Sequence, residues 1–191
     1  MDRSQIIHGE RLKETIREEL RRALSQESVT AGEATEFYLV NLLTDFHGAD
    51  CSRSIEDEGR PIGIRFMEAL SQGSGSKARE LKEIGDSTLI VLGLFAESVR
   101  RSIVDESYYM SIGGSAYEAL SGVLVCDAVF ARIYAELACK FAAYVGVLAR
   151  IAPWNRAHTE TDILNLYRRW VETGDEKLAE ELRSEGIALD R

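Results

Sequence analysis

The residues best suited to chemistry gather in one stretch. Asp86 stands beside Gly85 in a segment whose other face is apolar, and Tyr108, Tyr109 and Tyr117 follow it closely along the chain. Each tyrosine offers an apolar ring and a hydroxyl, so three of them with a carboxylate can line a cleft for a small molecule. The same residues can do a plainer job, in which Asp86 accepts a hydrogen bond from a tyrosine hydroxyl or a loop amide and pins two helices together. Buried polar groups find such partners with or without a ligand. Asp86, Tyr108, Tyr109 and Tyr117 are therefore the candidate ligand-binding residues. Gly85 costs a helix about 1 kcal/mol relative to alanine, which calls for a packing or site explanation.

The other reactive side chains form no catalytic or metal constellation. A carboxylate-bridged diiron centre needs Glu-x-x-His units on facing helices, and none of His8, His47 and His158 lies three residues after a glutamate. Asp45, His47 and Asp50 fall near a loop and read as a solvated helix end, because no full ligand set accompanies them. Cys51 lies near His47 in sequence, while Cys126 and Cys139 are expected among apolar neighbours. Three cysteines without metal spacing read as reduced thiols of a cytoplasmic protein. Neither a Gly-x-Ser-x-Gly elbow nor a Gly-x-x-x-x-Gly-Lys loop is present, and Gly113-Gly114 reads as close helix packing. No catalytic residue, no metal and no cofactor is expected.

Charge narrows the partners. The 191 residues carry 23 basic and 32 acidic side chains, a formal charge of −9, so the basic footprint of a nucleic-acid binder is missing. Residues 31 to 60 are especially acidic, with Glu33, Glu36, Asp45, Asp50 and Glu56-Asp57-Glu58 against Arg53 and Arg60. Near the amino terminus, Arg11, Lys13, Arg17, Arg21 and Arg22 interleave with Glu10, Glu14, Glu18 and Glu19, and pairs such as Glu18 with Arg22 and Glu14 with Arg17 suit a solvated helix face. The first residues hold no apolar run long enough for a signal peptide. Between Val123 and Ala152, Asp127, Arg132, Glu136, Lys140 and Arg150 interrupt the apolar run, so no membrane span is expected.

The elements that must position these residues are helical throughout. Leu81, Ile84, Thr88, Val91, Leu92, Phe95 and Val99 recur at three- and four-residue steps, and a second stripe runs through Tyr109, Ile112, Ala116, Ala119 and Val123. These predict an antiparallel pair over about 77–101 and 106–121, turning near Ser102 to Asp105, with Asp105 as a helix cap and Arg100-Arg101 at the preceding carboxyl end. Before the pair come a helix from about Ile7 to Leu24 and a second from a Thr30–Glu33 capping box to about Phe46. A long loop over about 47–63, a short helix from about Ile64 to Leu70 using Phe66, Met67 and Leu70, and a flexible connection over 73–76 follow. After the pair come a break from about Ser121 to Asp127, with Asp127 as a fresh cap, and a helix to about Ile151 facing inward with Phe130, Ile133, Leu137, Phe141, Tyr144, Val145 and Leu148. Ala138 and Ala142 lie on a neighbouring face suited to close helix approach. A helix capped by Thr159 and Asp162, with Ile163, Leu166, Tyr167 and Trp170 inward, precedes a Thr173-Gly174 stop and a last short helix through Leu178 and Leu182. The expected fold is a single all-α domain over residues 1–191, an antiparallel bundle of about seven or eight helices with no sheet.

The string Leu81-Lys-Glu-Ile-Gly-Asp86-Ser-Thr-Leu89, then Gly93-Leu-Phe95, then Tyr108-Tyr109 with Gly113 and Ala116-Tyr117, resembles a set of bacterial helical proteins of unknown function. Similar features extend to Glu36-Phe-Tyr38-Leu39-Val40 and to Leu166-Tyr167, Trp170 and Thr173-Gly174. The resemblance implies a helical, soluble bacterial protein and brings no activity or site with it.

Without a catalytic set, the expected function is a non-enzymatic, cytoplasmic interaction or regulatory module acting as a homodimer, with Gly113, Ala116, Ala119, Ala138 and Ala142 suited to close helix contact. The alternative is a small-molecule binder or enzyme with its pocket between the helices of 77–101 and 106–121. A third reading has the Glu56-Asp57-Glu58 run docking a basic protein partner.

Overall fold

Periodicity sets the helices, and polar side chains set how they meet. The computed structural model describes residues 3–47, 60–95 and 105–152, together with Tyr167, Trp170, Val171 and Leu182. The helices are α1 (Arg3–Gln26), α2 (Glu33–His47), α3 (Ile62–Ser71), α4 (Ser74–Leu94), α5 (Glu106–Val123) and α6 (Ala128–Cys139), followed by α7 over residues 141–152. The protein is an all-α helical bundle, with seven helices and no strand among the described residues. Residues Met1–Ala152 form one compact unit and Pro153–Arg191 another.

Four neighbouring pairs run antiparallel, as their cross-links show. Lys13 and Arg21 on α1 reach Asn41 and Glu36 on α2. Arg65 on α3 meets Glu80 on α4, while the Lys77 ammonium donates to the Leu70 carbonyl at the end of α3. Ser121 on α5 donates to the Ala131 carbonyl of α6, and a Cβ placed on Gly113 would strike the Phe141 ring at the start of α7. Thr35 on α2 bonds Glu136 on α6, and the Tyr38 ring meets Tyr134 edge-on one turn further. The most extensive contact is α4 against α5, and α5 also packs on α6 and α3, so α5 is central.

The core follows the expected stripes in most places. Leu81, Ile84, Thr88 and Leu92 on α4, with Tyr109, Ile112 and Ala116 on α5, are buried. Burying such a side chain contributes about 1.5–3 kcal/mol, so these two stripes hold much of the stability. Leu89, Ile90, Tyr117 and Leu120 are also buried, which makes both helices covered over more than one face, whereas Val91, Phe95, Ala119 and Val123 are half-buried.

Several local expectations are corrected. α3 buries Ile62, Arg65 and Ala69, while Phe66 and Leu70 are half-buried and Met67, expected inward with them, is 64% exposed. Arg65 is drawn in because Glu80 accepts from both its Nε and Nη2, at 3.0 and 2.8 Å, and Glu83 lies 3.6 Å away. The helix starts at Ile62, inside the expected 47–63 loop, and α4 starts at Ser74, so most of 73–76 is helical rather than a flexible connection. α1 runs longer than expected at both ends, and it pairs Arg22 with Glu19 at 2.6 Å instead of with Glu18. Beyond α1, Ser28 takes a left-handed φ of 55°, which lets the Val29 amide reach the Leu24 carbonyl. The helix expected to run unbroken to Ile151 is interrupted at Lys140, and Phe130 is 46% exposed rather than inward. Asp105 and Asp127 do cap α5 and α6, accepting from the amides of Ser107 and Phe130.

In the second unit, the four described positions are helical, Leu182 is buried and the Tyr167 and Trp170 rings lie 5.5 Å apart. Tyr167 is exposed, unlike its expected place in an inward stripe. Val99 to Ser102, Asp50, Cys51, the Glu56-Asp57-Glu58 run, His158 and the expected caps Thr159, Asp162 and Thr173-Gly174 lie outside the described residues.

Candidate functional site

Asp86 is the centre of a buried polar cluster. It stands on α4 one turn after Lys82, a spacing that stacks two side chains on one helix face. Its Oδ1 accepts from the hydroxyls of Tyr38 at 2.5 Å and Tyr117 at 2.7 Å, and its Oδ2 accepts from the Lys82 ammonium at 2.6 Å. Three helices, α2, α4 and α5, are thereby joined through one carboxylate. Tyr134 extends the cluster to α6: its ring stacks on Tyr117 at 5.8 Å and meets the Tyr38 ring edge-on at 5.4 Å. Gly85 makes room for this, because a Cβ there would stand 2.6 Å from Cε1 of Tyr117.

The four sequence candidates separate in space. Asp86 and Tyr117 are hydrogen-bonded to each other, whereas Tyr108 and Tyr109 lie about two turns away along α5. Tyr109 is buried, and Tyr108 is exposed with its hydroxyl against Gly63 of α3. Tyr38, Lys82 and Tyr134 complete the cluster and were not among the candidates. Lys82 was readable, since it stands four residues before Asp86. Tyr38 and Tyr134 lie in apolar runs, where nothing local separates a hydroxyl that reaches a carboxylate from one that reaches water.

The protonation states suit holding rather than proton transfer. Burial and the Asp86 charge push the Tyr38 and Tyr117 hydroxyls well above the ordinary tyrosine range, so both remain phenol donors. Burial raises Tyr134 in the same direction. For Lys82, burial acts to lower the pKa, but the facing Asp86 carboxylate outweighs it and the net shift is upward. The lysine therefore stays an ammonium, which is a hydrogen-bond donor and not a nucleophile. Both Asp86 oxygens carry donors, two on Oδ1 and one on Oδ2, which use most of the roughly four acceptor sites of a carboxylate.

A second carboxylate holds the start of α2. Glu136 on α6 accepts from the Gly32 amide at 3.2 Å, Thr35 Oγ1 at 2.6 Å, the Lys140 ammonium at 3.0 Å and the Tyr144 hydroxyl at 3.0 Å. α2 thus begins at Glu33 with the Gly32 amide just before it and the Thr35 hydroxyl in its first turn both held by a carboxylate from another helix. This replaces the expected Thr30–Glu33 box, and the N-terminal end of the helix dipole favours the negative charge. Burial alone would raise the Glu136 pKa, but the bonds from Thr35, Lys140, Gly32 and Tyr144 bring it below the ordinary value. Lys140 also donates to the Thr30 carbonyl, and Arg150 pairs with Glu27 at 2.6 Å, so the α1–α2 connection is tied to α6 and α7.

A groove of about 700 Å³ opens to solvent. It runs between α5 and the α6–α7 segment, on residues including Met110, Gly114, Glu118, Ala135, Ala138 and Ala142, and none of the Asp86 cluster lines it. α4 and α5, between which a pocket was the alternative expectation, meet closely at Gly85 and Tyr117. Cys139 lies in the groove and is exposed, as is Cys126, so neither has the apolar burial expected of it. No helix among the described residues is long and apolar enough to cross a membrane. No protein-family model matches the chain, and no curated protein or solved structure matches it.

Proposed function

We propose that the protein is a non-enzymatic interaction module that works as a homodimer. The observation that carries this reading is the outward face of α6 and α7. Ala128, Ala135, Cys139, Ala142 and Ala149 are all exposed there and all are small, and in the stripe they form Arg132 is the one charged side chain, in a chain of which 29% is charged. Solvated helix faces ordinarily carry more charge than this, and a face of small side chains lets another helix come close. Val125, Val129 and Phe130 extend the exposed apolar surface at the start of α6.

The two carboxylate clusters support the non-enzymatic part. Each already accepts several hydrogen bonds from groups of this chain, which hold helices together. Light scattering with sedimentation equilibrium tests the reading: the expected mass is twice 21.3 kDa. A monomer at every concentration up to about 1 mM, a range in which even weak pairing registers, would refute it.

A further inference from the structure

We infer that the groove between α5 and α6–α7 seats a second copy of this chain about a two-fold axis, with Glu118 of each protomer paired to Arg132 of the other. This rests on the homodimer reading and names its face and register. The groove walls are small: Gly114 and Ser115 on α5 face Ala135, Ala138 and Ala142 on α6 and α7. Interhelical distance depends on side-chain size, so such walls admit a close neighbour.

Charge identifies the occupant. The Ser121 hydroxyl donates to the Ala131 carbonyl at 2.9 Å, which sets the carboxyl end of α5 level with the start of α6. Glu118, one turn back on α5, lines the groove. Arg132 is exposed and lies three and seven residues before Ala135 and Cys139, spacings that put it on their face of α6. An acid and a base thus stand on opposite walls at one end of the groove. Among the described residues neither forms an ion pair, whereas Glu136 and Lys140 further along the same segment pair with each other at 3.0 Å.

A two-fold axis running above the groove, in the plane between the two copies and over the midpoint of these side chains, sets each wall opposite the other copy's facing wall. Each Glu118 then meets the other copy's Arg132, and the pairing occurs twice. The patch is its own complement, and a second copy supplies the missing partners by symmetry. A foreign partner would have to carry the same two charges at the same separation.

Charge reversal tests the inference, read by sedimentation equilibrium on the full chain, with circular dichroism melting showing that each variant folds. Glu118→Arg and Arg132→Glu each place like charges together twice and should raise the dimer dissociation constant about tenfold or more, and the double reversal should restore it. Unchanged dimerisation in both single variants would overturn this face while leaving the homodimer intact. Weakening without rescue in the double variant would overturn the reciprocal pairing. A wild-type chain that stays monomeric would remove both the inference and the reading beneath it.

Discussion

The Tyr117 ring lies directly on Gly85, so close that a single added carbon at Gly85 would stand 2.6 Å from the ring edge, and from there its hydroxyl reaches Asp86 at 2.7 Å. The missing side chain and the adjacent carboxylate belong to one device. The glycine lets α5 approach, and the aspartate holds the tyrosine that comes with it.

Gly85→Ala should therefore destabilise the protein even though alanine is the better helix former. Overpacking costs about 1–3 kcal/mol and displaces a hydrogen-bonded ring, against about 1 kcal/mol gained in propensity. Gly75 lies in the same helix with open space where its Cβ would be. Gly75→Ala should thus be neutral or stabilising by up to about 1 kcal/mol. Urea denaturation of the two variants is the measurement, and equal effects would contradict the packing account.

Loss of the Asp86 charge should be felt on three helices at once. Asp86→Asn retains an acceptor but unpairs Lys82, and Tyr38→Phe removes one donor of three. We expect losses of about 1–3 and about 1 kcal/mol, with the double variant losing less than the sum because the residues share one network. Additive losses would mean that Tyr38 and Asp86 act separately.

Alkali should loosen the fold. An unfolded tyrosine releases its proton near 10.0, whereas folded Tyr38 and Tyr117 hold theirs to higher pH. Their contribution is complete below about pH 10 and is lost as pH rises further, by up to about 1.4 kcal/mol per unit for each tyrosine. Lys82, also shifted upward, adds to the loss in the same direction. Stability measured from pH 8 to pH 11 should fall more shallowly in Tyr38→Phe than in the wild type. Parallel slopes would show that the phenols do not set this limb.

Acid should act through Glu136. Its folded pKa lies below its ordinary 4.5, so its contribution is present above that value and is lost as pH falls through the folded one. Glu136→Gln should cost about 1–3 kcal/mol at neutral pH and flatten the acid limb. Amide exchange should report the opening first around Gly32 to Thr35, where α2 begins. An unchanged acid limb in the variant would assign it to other carboxylates.

Local chemistry determined much of the architecture. The stripes Leu81, Ile84, Thr88, Leu92 and Tyr109, Ile112, Ala116 are readable because helical periodicity belongs to neighbouring residues, and their buried faces follow from it. Asp105 and Asp127 are readable as caps because a cap acts within three residues. α3 shows where this fails: its apolar pattern pointed to Met67, but Glu80 and Glu83 on the next helix draw Arg65 inward and turn Met67 out.

Which tyrosines meet Asp86, and which carboxylate caps α2, was settled only in three dimensions. Tyr38 and Asp86 are separated by 48 positions, and Gly32 and Glu136 by 104. Periodicity tells which face of a helix turns inward but not which neighbour it faces or at what height. That height is set when glycines such as Gly85 and Gly113 receive whole rings from other helices, an arrangement of the packed chain that no single segment carries.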